Sequence, residues 1–362
     1  MTDRKGVILC VDDEPHVLRA LQWLLQREFE VHTASSAADG IKLLAAHDFD
    51  VVVSDQRMPG VTGVEFLHEV RKANPRAMRI LLTGYSDLDA MVRSVNESEV
   101  YRFVTKPWDI RELPRLIGEA ADIAKRTPVI APTAEIAEAT PAEAGPIGAV
   151  LPGAADLAPH RRPTMVAMRP DESILLIDDD AQVRHAVEAV LGDTVHVRCA
   201  ANLAEAVQAL DERPVSVVIS DVRVGKVDVT RLIRLMKQKH PEVVSVVFSG
   251  VQDAQIVMDL INQGQVYRFI PKPFKPGFIR LVVDSAIRRH RQLAEMPEAR
   301  VRFRVEKVAD EAAESLRRDI ELAAGQLVPA GAGPMGPVPA GSAPEGGLLS
   351  RVSGGLRRLF GG

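Results

Sequence analysis

Cysteine is nearly missing from this 362-residue chain: only Cys10 and Cys199 are present. A redox or metal role is open to them, but their position in or beside apolar stretches points to buried, inert thiols. Long apolar runs are also missing. The longest, such as Ile174 to Ile177, are far too short to span a bilayer. Neither sign of charge dominates, with 45 Lys and Arg against 49 Asp and Glu for a net −4, so there is no wide basic footprint for DNA. None of the nine histidines is placed as a phosphodonor. The opening Met1-Thr2-Asp3-Arg4-Lys5 leads into a strand-like segment without the pattern of a signal peptide, and the expected location is cytoplasmic.

What is present is a repeat. Val-Ile-Leu-Cys-Val-Asp-Asp at 7–13 returns as Ser-Ile-Leu-Leu-Ile-Asp-Asp at 173–179, and Val-Val-Val-Ser-Asp at 51–55 returns as Val-Val-Ile-Ser-Asp at 217–221. Leu-Leu-Thr-Gly at 81–84 is matched by Val-Phe-Ser-Gly at 247–250, and Val-Tyr-Arg-Phe-Val-Thr-Lys-Pro at 100–107 by Val-Tyr-Arg-Phe-Ile-Pro-Lys-Pro at 266–273. Every pair is offset by 166 residues, the mark of a duplicated domain. In the first copy, Val/Ile/Leu-rich runs at 7–11, 30–34, 51–54, 79–83 and 101–105 alternate with helical patterns such as Val17, Leu18, Leu21, Leu24 and Leu25. Nearly continuous apolar strands are buried on both faces, so a parallel sheet covered by helices is expected. The fold class is α/β: two flavodoxin-like, doubly wound, five-stranded domains, over 4–126 and 171–292.

Between them, residues 127–170 hold eight prolines and eleven alanines without apolar periodicity and read as a disordered linker. A helix is expected over 298–327, with Val301, Val305, Val308, Ala312, Leu316, Ala323 and Leu327 on one face, docked on the second domain or forming a stalk. A flexible Pro/Gly-rich stretch at 328–347 and a short tail at 348–362 follow. The apolar face of Leu348–Phe360 could dock weakly on an anionic membrane or in a partner groove. The basic run Arg288-Arg289-His290-Arg291 is expected to lie against the dipole at the end of the second domain's last helix.

Side chains at the carboxyl ends of parallel strands form the site of such a fold. There the first copy carries Asp12, Asp13, Asp55, Thr83 and Lys106, and the second Asp178, Asp179, Asp221, Ser249 and Lys272. Converging carboxylates repel one another unless a cation sits among them, and an oxygen-only set with open positions suits Mg²⁺. Asp55 or Asp221 could then act as nucleophile toward a phosphoryl group, with the metal and the lysine neutralising charge and the Thr or Ser hydroxyl bonding the product.

These two sets of five residues resemble the receiver domains of two-component response regulators, over 5–125 and 172–292. The resemblance implies phosphotransfer to Asp55 and Asp221 from a sensor histidine kinase or phosphotransfer protein, with Mg²⁺ required. By matching positions, Asp13, Asp55 and the Arg57 carbonyl would hold the metal with Asp12 helping through water; in the second copy these are Asp179, Asp221, the Arg223 carbonyl and Asp178. Thr83 and Ser249 would move inward on phosphorylation, followed by the aromatic side chains Phe103 and Phe269. Tyr101 and Tyr267 should share a strand face with those phenylalanines if the strand is regular. The resemblance also makes a cis bond common at Lys-Pro.

The second copy departs from the first. Pro59, Gly63 and Thr105 become Gly225, Val229 and Pro271, which bears on the metal-supporting loop and on a donor beside the lysine. Arg57 and Arg223, and Tyr85 and Val251, could shield a phosphoryl group from water or simply face solvent. The expected function is phosphorelay signalling by a self-phosphorylating and autodephosphorylating regulator rather than a turnover enzyme. Its output would be contact with an unknown downstream protein and not direct DNA binding, since no helix-turn-helix remains outside the repeats. A phosphate sink, or an adaptor whose second receiver is never phosphorylated, stays open.

Overall fold

The computed structural model describes residues 5–84, 88–128, 165–192, 195–225, 227–250, 254–264, 266–303, 305, 308 and 310–326. Most of the linker, the stretch 328–347, the tail 348–362, Tyr85 and Val251 lie outside them.

The first unit runs β1 (Val7–Val11), α1 (Pro15–Leu25), β2 (Glu30–Ala34), α2 (Ala37–Ala46), β3 (Val51–Asp55), α3 (Gly63–Ala73), β4 (Met78–Thr83), α4 (Leu88–Arg93), β5 (Arg102–Thr105) and α5 (Glu112–Arg126). A π-helical turn, Ser94–Ser98, carries α4 on toward β5. The second runs β6 (Ile174–Ile177), α6 (Ala181–Leu191), β7 (Val197–Ala200), α7 (Leu203–Glu212), β8 (Val217–Asp221), the hairpin β9 (Arg223–Val224) and β10 (Val227–Asp228), α8 (Thr230–Lys239), β11 (Val244–Ser249), α9 (Ala254–Gly264), β12 (Arg268–Pro271) and α10 (Pro276–Glu295).

Both sheets are parallel and identically wound, in the orders β2-β1-β3-β4-β5 and β7-β6-β8-β11-β12. The central strands β1, β3 and β4 are buried at every position, as apolar runs covered on both faces must be. Period-two alternation divides the first core in two. Leu9 and Val11 pack with α3, whereas Ile8 and Cys10 pack with α1 and α5. Thr62 caps α3 in a reciprocal box with Glu65, which sets where the helix starts behind the β3 loop.

Three expectations need correction. The helix expected over 298–327 is two pieces, a 3₁₀ segment at Pro297–Phe303 and α11 (Asp310–Gln326). Branched valines at 301, 305 and 308 are weak helix formers, while the Ala, Glu and Leu of 312–324 favour one. α11 packs against α7 and α8, burying Leu316 and Ile320. The basic run 288–291 lies inside α10, which continues to Glu295, so it does not sit at a helix end. Instead Arg289 reaches Glu99 of the first unit, and Arg291 pairs with Glu172. Tyr101 and Tyr267 do not share a face with Phe103 and Phe269. β5 and β12 start only at the following arginines, so each tyrosine precedes the regular strand and packs with α5 or α10 on the opposite side. The departure expected in the second copy's loop takes the form of a hairpin after β8.

The two units touch. α4 packs on α9, and one apolar cluster includes Met91 and Val95 with Val257 and Ile261. Among the described residues no helix is long and apolar enough to cross a membrane.

Candidate functional site

Strand ends gather the first acidic pocket. Asp12 follows β1, Asp55 closes β3, Thr83 closes β4, and Lys106 follows β5, its amide donating to the Thr83 carbonyl at 3.1 Å. Lys106 Nζ lies 2.7 Å from Asp12 Oδ2 and 2.6 Å from Asp55 Oδ1, bridging the carboxylates. Asp12 is fully buried; its Oδ1 accepts from the Glu14 amide at 2.9 Å. Asp55 Oδ2 accepts from the Arg57 amide at 2.7 Å. Thr83 Oγ1 donates to the Gly84 carbonyl at 3.0 Å rather than to the acidic cluster.

Burial raises the Asp12 carboxyl above its ordinary value, although the Lys106 hydrogen bond and charge pull the other way. Burial also works against the Lys106 ammonium, but its hydrogen bonds and charge interactions with Asp12 and Asp55 outweigh that, so its pKa is raised and the lysine stays charged.

The second pocket repeats this geometry. Lys272 Nζ is 2.6 Å from Asp178 Oδ2 and 2.6 Å from Asp221 Oδ2. Asp178 is fully buried and its carboxyl is raised for the same reason, desolvation. Both Lys-Pro bonds, Lys106-Pro107 and Lys272-Pro273, are cis. Ser249 closes β11, as Thr83 closes β4.

The difference lies in the loops. Gly63 donates to the Gln56 carbonyl at 3.0 Å and passes so close to Asp55 that a Cβ there would stand 2.1 Å from the Asp55 carbonyl oxygen. The equivalent Val229 keeps the same bond, to the Val222 carbonyl at 3.0 Å, with its side chain buried. Room comes from the β9–β10 hairpin, which turns at Gly225 with φ +62. The hairpin also engages the acidic pair: the Gly225 amide donates to Asp179 Oδ2 at 2.9 Å.

Asp12, Asp13, Asp55 and the Arg57 carbonyl offer only oxygen, the donor type Mg²⁺ takes. Among the described residues the acidic side chains do not already stand as a metal-holding group, because the lysine occupies two of the carboxylates. The donor set fits the ion once that ammonium gives way. Arg57 and Arg223 are exposed at the rim. Phe103 and Phe269 are buried, at 3% and 2% exposure. Cys10 and Cys199 do not belong to either site; burial pushes both thiols up to about 12.

Sequence reasoning missed three residues between the units, Asn96, Asn262 and Glu99. Asn96 and Asn262, the positions related by the repeat offset, each bond the other unit's edge strand, and Glu99 receives Arg289 at 2.5 Å and Arg71 at 3.2 Å. The matched Val-Asn and Ile-Asn at 95–96 and 261–262 were the available signal, but a polar residue on a helix reads as solvated until its partner surface is known.

A family model, the response regulator receiver domain, matches residues 8–118 and again 174–284. The matches take in more than half of the chain, which therefore belongs to the response regulator receiver family, as a tandem pair. That family consists in the main of signalling proteins rather than turnover enzymes. The chain is 44% identical over 108 residues to the hydrogenase transcriptional regulatory protein HoxA of Cupriavidus necator, a match covering 30% of this chain and 22% of HoxA. It is 31% identical over 122 residues to the DNA-binding transcriptional regulator NtrC of Escherichia coli, covering 32% of this chain and 25% of NtrC. The matches thus span about a quarter or less of these relatives. Among solved structures, a receiver domain protein from Clostridium thermocellum aligns at 32% identity and TM-score 0.32, covering 33% of this chain and 97% of its own. The regulator TrrA of Thermotoga maritima, in complex with Mg²⁺ and BeF, aligns at 33% identity and TM-score 0.29, covering 32% and 98%.

Proposed function

We propose that the chain is a phosphorelay regulator that accepts phosphoryl groups on Asp55 and Asp221 and signals through protein–protein contact. One observation carries the reading: in each unit a single lysine ammonium is held within 2.7 Å of two carboxylates at the sheet's carboxyl rim, and the arrangement occurs twice. A lysine so placed is ready to transfer its charge from carboxylate to phosphoryl oxygens.

In the transfer, a carboxylate oxygen of Asp55 bonds to phosphorus and the phosphorus–nitrogen bond of the donor's phosphohistidine breaks, the imidazole keeping the electron pair. Receiver domains bind Mg²⁺ at their acidic pocket; here Asp13, Asp55 and the Arg57 carbonyl, with Asp12 behind, would hold the ion, which would supply positive charge for the phosphoryl oxygens. Lys106 pairs with those oxygens and Thr83 turns its hydroxyl from Gly84 toward them. Phe103 then packs in behind Thr83. Asp178, Asp179, Asp221, the Arg223 carbonyl, Ser249, Lys272 and Phe269 take the same parts in the second unit.

The test is direct. Wild type, Asp55→Asn and Asp221→Asn are treated with acetyl phosphate and Mg²⁺, and added phosphoryl groups are counted by intact mass. Two on wild type and one on each variant is the expected result. One on wild type, lost only in Asp55→Asn, would make the second unit a docking module. None on any form, together with no Mg²⁺-dependent change in the fluorescence of Trp108 beside the pocket, would overturn the reading.

A further inference from the structure

The contact between the units is built from the same two positions used twice. Asn262, on α9, accepts from the Phe103 amide at 2.8 Å through Oδ1 and donates to the Phe103 carbonyl at 3.0 Å through Nδ2. Asn96, in the π turn after α4, accepts from the Phe269 amide at 2.9 Å and donates to the Phe269 carbonyl at 2.8 Å. Asn96 and Asn262, like Phe103 and Phe269, are separated by the offset that relates the two copies, so the interface has pseudo-twofold symmetry.

β5 and β12 are edge strands, whose outward amide and carbonyl would otherwise face solvent. A carboxamide carries the same donor and acceptor as a peptide group. Each asparagine therefore supplies the edge with one residue's worth of strand pairing. The bonded residues are the two aromatics assigned to the switch, and both rings are buried in this paired arrangement. The connections also close on themselves. Asn96 belongs to the segment leading into β5, and Phe103 on β5 is gripped by Asn262. Asn262 in turn belongs to the helix leading into β12, where Phe269 is gripped by Asn96. Displacement of one edge strand cannot leave the other untouched.

We infer that these reciprocal clamps join the two phosphoacceptor sites into one cooperative unit, so that phosphorylation of either aspartate favours phosphorylation of the other. The inference rests on the proposed function. A buried ring is the arrangement that phosphorylation would favour, and in the paired units both rings are buried together in one cluster with α4 and α9, so each event lowers the cost of the other.

The full-length chain is brought to steady state at several acetyl phosphate concentrations. Its unmodified, Asp55-only, Asp221-only and doubly modified populations are then measured by intact mass and peptide mapping. The product of the unmodified and doubly modified fractions, divided by the product of the two single ones, is about 1 for independent sites and at least about 5 for typical coupling between sites. Wild type should give about 5 or more, and Asn96→Ala and Asn262→Ala should each return the ratio to near 1. Because the clamps are reciprocal, either variant suffices if the other folds poorly, and circular dichroism melts establish which is folded. Two phosphoryl groups with a wild-type ratio near 1 overturns the coupling while leaving the proposed function standing. So does a raised ratio that survives loss of a clamp. Phosphate on one aspartate only overturns the coupling and also cuts the proposed function back to a single phosphoacceptor. Absence of phosphate at both sites removes the proposed function itself.

Discussion

Replacing Gly63 with alanine should damage the first phosphoacceptor by pushing on the backbone that carries it. The new methyl carbon would stand 2.1 Å from the Asp55 carbonyl oxygen and 2.8 Å from Leu81 Cδ1. Leu81 can rotate away. The carbonyl cannot, because Asp55 is the last residue of β3 and pairs with Leu82 of β4. Comfortable carbon–oxygen approach is about 3.3 Å, so roughly 1 Å of movement is required between α3 and Asp55. Overpacking of this size costs about 1–3 kcal/mol, partly offset by up to about 1 kcal/mol from the better helix former. Displacing a reacting group by about 1 Å can cost on the order of 100-fold in rate. The assay is acetyl phosphate labelling in an Asp221→Asn background, so that only Asp55 is counted, alongside a thermal melt. Slower labelling by about 10- to 100-fold with a melting temperature lower by several degrees is expected. The matched change Val229→Gly should leave the Asp221 labelling rate within about twofold, since the hairpin route already accommodates a side chain. Equal rates for wild type and Gly63→Ala would refute the argument that the close approach positions the nucleophile.

Two further predictions concern buried charge. Glu99 is held well below the ordinary carboxylate range: burial alone would raise it, but Arg289, Arg71, Arg268 and Arg302 overcome that. Its contribution is therefore complete above the unfolded value near 4.5 and is lost as pH falls below it toward the folded value. Glu99→Gln should destabilise by about 3–5 kcal/mol at neutral pH and flatten the acid side of the stability curve, measured by calorimetry from pH 7 downward; an unchanged curve would contradict the role given to this carboxylate. Lys237 is 3% exposed, and burial, opposed by Glu242, pulls its ammonium down to about 7. The unfolded chain then binds more protons between about pH 7 and its ordinary value of 10.5, so stability should rise with pH across that window. Lys237→Met should stabilise at pH 7 by on the order of a few kcal/mol and remove the rise; denaturant titrations at pH 7 and 9 that match between variant and wild type would exclude it.

The sheets were legible in the sequence because a strand buried on both faces must be apolar throughout, and the acidic pockets because five residue types recurred at one spacing. What was hidden depends on contacts between distant segments. Val229 in place of Gly63 signalled a changed loop, yet only the folded chain reveals the hairpin that makes room for it. Arg289 reads as a charge set against the dipole of a helix end until Glu99 of the other unit is brought to it. Tyr101 was misplaced by assuming regular alternation one residue before the strand begins.

The clamped edges also bear on how the signal leaves the molecule. With the outward rims of β5 and β12 already taken up by each other's asparagines, a downstream protein has two routes. It can read faces that the pairing leaves open, around the α1 and α6 sides, or it can pry the halves apart and substitute itself. The second route would make the recipient a competitor of the protein's own other half, with a threshold set by the four asparagine bonds together with the Arg289–Glu99 pair and the apolar α4–α9 contact.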